Sequence, residues 1–121
     1  MDKLSPQMRH QLAQFQQAQQ QAQILLNQKQ QLEVLLRETA RAHEELAKLP
    51  DDAVVYKSLG TILVRANKVE LQKSLAEQKE TLDLRIKTLE RQTERAIQRL
   101  QEMQSKIDEA LKGQKPEGLA S

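Results

Sequence analysis

The chain has 121 residues, which is enough for one domain and no more. Hydrophobic residues make up 38 % and aromatics 2 %, with no Trp, one Tyr and one Phe, so material for a rounded globular core is short. Charged residues reach 30 % at a net charge of +2, with basic and acidic positions interspersed and no cysteine. Disulfide and thiolate chemistry are excluded, and the balance gives no electrostatic reason for a nucleic-acid or anionic-membrane partner.

Leu, Gln, Glu, Lys, Ala and Arg dominate, with three Gly and three Pro, a composition typical of long helices or coiled coil. The first segment is predicted as a helix over 5–49. Ser5 can cap it and Pro6 can occupy its first position, where a missing N–H costs nothing. No Gly or Pro follows until Pro50, which ends the run. Apolar residues recur at Met8, Leu12, Phe15, Ala18, Ala22, Leu25, Leu32, Leu35, Ala42, Leu46 and Leu49 in steps of three, four and their sums. The alternation is read as slipping between Phe15 and Ala22, so a local irregularity of the supercoil is expected there.

Pro50-Asp51-Asp52 reads as a turn, after which the composition changes. Val54-Val55-Tyr56-Lys57 and Thr61-Ile62-Leu63-Val64 are β-branched or aromatic runs around Ser58-Leu59-Gly60. They predict one β-hairpin over 53–66, with Gly60 supplying the positive φ of its loop. The last helix is predicted over 67–112, opened by Asn67 and Glu70 at capping-box spacing. From Leu75 the seam is strict: Lys79, Leu82, Ile86, Leu89, Thr93, Ala96, Leu100, Met103, Ile107 and Ala110 follow in alternating steps of four and three. Gly113 is expected to cap this helix, and 113–121 reads as a flexible tail.

The expected fold is therefore mainly α, a long antiparallel two-helix coiled coil with one β-hairpin at the connection, forming a single domain over 1–121. Pairing Leu49 near Val69 sets Met8 opposite Ala110 and Phe15 opposite Met103, with arms roughly 60 Å long at 1.5 Å per residue. A lone two-stranded hairpin is marginal in water. The run Ile62-Leu63-Val64 suits burial on both faces, and both strand edges are open to other chains. The hairpin is thus expected to join others in a shared sheet or barrel.

Three strings carry a family resemblance: Gln11-Leu12-Ala13-Gln14-Phe15-Gln16-Gln17 with the Gln-rich stretch after it, Val55 to Val64, and Leu100-Gln101-Glu102-Met103-Gln104. In this order around one hairpin they resemble the prefoldins, specifically the archaeal single-hairpin β class, over nearly the whole chain. The resemblance implies a hetero-hexamer of two α and four β subunits, built on a β-barrel platform of hairpins from which coiled coils hang. It further implies ATP-independent holding of non-native client proteins at the coiled-coil tips and transfer to a group II chaperonin. The α class carries two hairpins, and the short connection here accommodates one.

Met8, Leu12 and Phe15 converge with Met103, Ile107 and Leu111 in the antiparallel pairing, and are the candidate client-binding tip. Met and Phe offer adaptable or broad apolar contact. The alternative is that these residues close the last turns of an ordinary coiled coil. Gln11 to Gln28 contains no charged residue, which would admit clients of either sign or would simply make a soluble helix. Val54, Val55, Tyr56, Ile62, Leu63 and Val64 are assigned to subunit assembly, against the alternative of a hairpin packed on its own helices. Tyr56 is expected to place its ring in the platform and its hydroxyl at the surface.

His10 and His43 stand alone, with no second ligand at metal spacing, so no metal and no cofactor is expected. Adjacent acids such as Glu44-Glu45 and Asp51-Asp52 point apart on a helix or lie in a turn. No phosphate-binding Gly loop or nucleophile elbow is present, and no enzyme activity is expected. No apolar run approaches the ~20 residues of a membrane span, and the first residues lack a secretory apolar region, so a cytoplasmic location is expected. The competing function is a structural coiled-coil adaptor joining defined protein partners. Nucleic-acid binding is disfavoured because the basic residues form no continuous stripe.

Overall fold

The computed structural model describes residues 4–113. Two long helices, α1 (Pro6–Ala47) and α2 (Lys68–Gly113), flank two strands, β1 (Val55–Leu59) and β2 (Ile62–Ala66). The tail expected beyond Gly113 lies outside the described residues, as do residues 1–3. Gly113 is itself the last residue of α2.

Helix α1 starts where the sequence predicts. Ser5 Oγ accepts the Met8 backbone N–H at 3.0 Å, and the Ser5 carbonyl accepts that of Arg9 at 3.0 Å. Its end tightens into three-residue closures, from Lys48 N–H to the Glu45 carbonyl and from Leu49 N–H to the Leu46 carbonyl, before Pro50 stops it. Pro50–Ala53 then forms a turn closed by the Ala53 N–H on the Pro50 carbonyl at 3.0 Å. At the other side, Asn67 Oδ1 accepts the N–H groups of Val69 and Glu70 at 2.9 and 3.1 Å, capping α2.

The strands pair antiparallel from Val55↔Ala66 to Leu59↔Ile62, leaving a two-residue loop of Gly60 and Thr61. Gly60 has φ of +61°, and no other described residue type has positive φ, so Thr61 does not. A positive φ at the first loop position alone is the type II′ turn, whose twist matches that of the strands it joins. Open space surrounds the position a Gly60 Cβ would take, so glycine is required there by backbone conformation and not by crowding.

The helices bury narrow stripes. On α2 the covered positions from Leu75 onward are those of the predicted seam, with Leu82, Ile86, Thr93 and Ile107 buried. On α1 the stripe differs from the sequence expectation. Leu35, Ala42 and Leu49 are exposed, and the covered line passes through Lys29, Leu32, Leu36, Thr39, His43 and Leu46. Toward the N-terminus it includes Gln11 as well as Leu12, so threes and fours alternate from Met8 onward and the expected irregularity is absent. Thr39 and Thr93 are tolerated because each hydroxyl donates to the carbonyl one turn back, Leu35 at 2.8 Å and Leu89 at 2.7 Å.

The chain separates into two units. The hairpin unit spans Lys29–Thr88, and the terminal unit combines Met1–Gln28 with Leu89–Ser121. In the hairpin unit Leu35 and Thr39 share a groove with Gln78, Thr81 and Leu82. In the terminal unit Gln11 and Gln14 share one with Met103, Lys106 and Ile107. In both, the two helices lie side by side along their covered stripes.

Candidate functional site

The register of the hairpin sorts its side chains. Alternation puts Val55, Lys57 and Leu59 on one face with their partners Ala66, Val64 and Ile62. Tyr56 and Ser58 share the other face with Arg65 and Leu63. The first face is apolar but for Lys57, and the second mixes an aromatic and an aliphatic residue with polar ones. Only the base of the first face is covered: Val55 is buried and Ala66 half-buried.

Every other predicted assembly residue is open. Val54, Tyr56, Ile62, Leu63 and Val64 are all exposed, Leu63 most at 71 %. Leu59, which the sequence reading placed in the loop, completes the apolar face beside Ile62 and is exposed as well. Its position directly before a two-residue turn is the signal that marks it. Leu49, at the end of the α1 run, and Val69, in the first turn of α2, add exposed apolar surface in the same unit. Because the described sheet has two strands, each strand is an edge and keeps its outward backbone groups unpaired. A surface of this kind can add strands from another chain and bury aliphatic side chains on both faces.

The junction of hairpin and helices is polar. Lys68 Nζ donates to Asp51 Oδ1 at 3.0 Å across the chain reversal, and the Lys68 side chain is buried.

The terminal unit distributes the candidate client-binding residues unevenly. Met8 is 1 % exposed and Ile107 is also buried, so both lie in the interhelical stripe. Leu12, Phe15 and Met103 are half-buried, and Leu111 is exposed. Met103 and Ile107 line the groove they share with Gln11 and Gln14. Phe15 lines a second groove with Gln19, Leu100 and Gln104, whereas Met8, Leu12 and Leu111 line neither. Amide side chains rather than charges border the α1 side of both grooves. On the α2 side Arg99, Glu102, Lys106, Asp108 and Glu109 supply both signs.

Among the described residues no cluster of three or more His, Cys, Asp or Glu could hold a metal ion. No described helix is long and apolar enough to cross a membrane.

Comparison with known proteins agrees with this geometry. The family model described as "Prefoldin subunit" matches residues 9–114. The prefoldin subunit beta of Archaeoglobus fulgidus is 46 % identical over 94 % of this chain and 98 % of its own length. That of Methanothrix thermoacetophila is 45 % identical over 95 % of this chain and 96 % of its own. The crystal structure of the prefoldin beta subunit from Thermococcus strain KS-1 superposes with a TM-score of 0.82 at 39 % identity, covering 96 % of this chain and 100 % of that one. Two long helices around one two-stranded hairpin, with matches this close to full length, leave no ambiguity of family: the chain belongs to the prefoldin subunits, which are chaperone components and not enzymes.

Proposed function

We propose that this chain is the β subunit of a hetero-hexameric prefoldin of two α and four β subunits. In it the hairpins join into a β-barrel platform and the terminal units hold non-native proteins without ATP, for transfer to a group II chaperonin in the cytoplasm. The observation that carries the proposal is the hairpin, whose aliphatic residues and strand edges are uncovered in a chain similar to prefoldin β subunits along its length. Leu59, Ile62 and Val64 on one face and Tyr56 and Leu63 on the other become buried on assembly.

Client holding is assigned to Leu12, Phe15, Met103 and Leu111, which retain accessible apolar surface, with Met8 and Ile107 added when the helix ends fray. Burial of client surface supplies the energy, at about 25 cal/mol per Å² before ordering costs. Dispersed, half-exposed contacts suit reversible capture.

Aggregation of a chemically unfolded protein, followed without ATP in the presence of this chain alone and of this chain with an α-type partner, tests the proposal. Suppression by a stable hetero-oligomer is expected. A well-formed oligomer that leaves aggregation unchanged would sink client capture and favour an adaptor that joins defined partners.

A further inference from the structure

The start of a helix carries the positive end of its dipole, so an ammonium group there is disfavoured, and burial removes the hydration that would offset this. A lysine stem is also long enough to carry its charge to solvent. Lys68, in the first turn of α2, does neither. Its side chain is 7 % exposed and its Nζ sits 3.0 Å from Oδ1 of Asp51, whose own side chain is 81 % exposed. The helix does not need this lysine, since Asn67 already caps it and Glu70 already supplies an acid in the first turn.

The location explains the pair better. Asp51 belongs to the closed turn Pro50–Ala53, and Lys68 follows the cap residue Asn67. The strand ladder ends at Val55↔Ala66, so the pair bridges the incoming and outgoing chain just outside the last rung, across 17 residues of sequence. The ion pairs Lys48–Glu45 and Lys87–Asp83, by contrast, are exposed links within about one turn of chain.

We infer that the Asp51–Lys68 pair is a joint that fixes the direction in which the hairpin leaves the helices, and so the pose in which it meets a neighbouring subunit. The second part rests on the assembly reading above; the first does not. Without the pair, Val55 and the two connecting segments remain as restraints and the hairpin samples many directions. Association weakens by the inverse of the fraction correctly posed, about tenfold for a hairpin in pose one tenth of the time.

The chain has no cysteine, so Thr61→Cys in the loop and Lys73→Cys on the exposed face of α2 accept a unique pair of spin labels. Pulsed electron resonance on the full chain, diluted with unlabelled protein, reads their distance distribution. A narrow distribution is expected for the parent and for Asp51→Glu, and one at least twice as broad for Lys68→Met and Asp51→Asn, all with unchanged circular dichroism. A broad parent, unchanged widths in both neutral variants, or helicity lost together with the broadening would overturn the joint. Titration of each variant with the α-type partner should show about tenfold weaker association for the neutral variants. Broadening with undiminished association would overturn the link to assembly. A parent that does not associate at all would overturn the assembly reading of the hairpin and leave the joint standing on the distances.

Discussion

Leu59 and Ile62 face each other across the two-residue turn at the tip of the hairpin, and they stand 49 % and 59 % exposed. Two aliphatic side chains paired so closely would ordinarily cover each other and rest on a core. Here both stay about half exposed among the described residues, and it is the assembly proposed above that would cover them.

Substitution of this face separates folding from assembly. Ile62→Asp combined with Val64→Asp touches neither helix nor any buried residue of the interhelical stripe, so helix content should stay within a few per cent of the parent. Each added carboxylate would have to be desolvated on assembly, at a cost of several kcal/mol. Sedimentation velocity with the α-type partner should show loss of the oligomer, and Leu59→Asp should behave alike. Retention of the oligomer by the double variant would show that the hairpin is not the assembly surface.

Gly60→Ala acts through the backbone alone. At φ of +61° with no neighbour near the added methyl, the cost is the left-handed conformation itself, about 1–2 kcal/mol. Hairpin population should fall, and the midpoint of assembly should rise by about one order of magnitude, as 1.4 kcal/mol is tenfold. A titration at constant α-type partner reads this shift.

Removal of the Asn67 cap tests the other end of the junction. Asn67→Ala leaves the Val69 and Glu70 N–H groups without their side-chain acceptor and should cost about 0.5–2 kcal/mol of helix stability. Thermal unfolding followed at 222 nm should shift downward, with a smaller effect for Asn67→Gly.

In the terminal unit, stability and client holding should separate by position. Ile107→Ala removes a buried side chain and should destabilise by about 2 kcal/mol, at the low end for core truncation because helix ends relax readily. Leu111→Ser, at an exposed site, should leave unfolding unchanged while weakening suppression of aggregation. Deleting residues 1–15 should abolish suppression and preserve the oligomer. Normal suppression by the truncated chain would remove the terminal unit from client binding.

The sequence made α2 legible because its covered line is almost wholly apolar, and the line from Leu75 to Ala110 is the one the helix buries. The line on α1 was harder to read. Leu35 and Leu36 are adjacent, and hydrophobicity cannot say which turns inward; Leu36 does, and Leu35 borders the groove beside Thr39. Lys29, Thr39 and His43 then continue the covered line, whereas Ala42 and Leu49, chosen for their apolarity, face outward. Strict alternation of threes and fours from Leu25 would have found them, since spacing survives where hydrophobicity fails. The hairpin was visible through its β-branched runs and Gly60, but Leu59 was lost to the loop. The Asp51–Lys68 contact had no sequence signal, because a charge pair across a chain reversal depends on how the turn is closed. Exposure in the terminal unit was equally hidden: Met8 and Leu12 read alike in sequence, yet one is enclosed and the other half-open.

The polar residues in the covered line of α1 bear on how copies of this chain avoid one another while folding. In a parallel, in-register pair of α1 helices each seam residue would face its own duplicate, Lys29 against Lys29. The same pairing of α2 would set Lys79 against Lys79. Such like-charged layers penalise partner exchange between nascent chains, whereas folding back on the same chain presents each lysine with a different residue. On this argument the imperfections of the stripe favour closure of each chain on itself over pairing of like helices, which is compatible with the hairpin-based assembly proposed above.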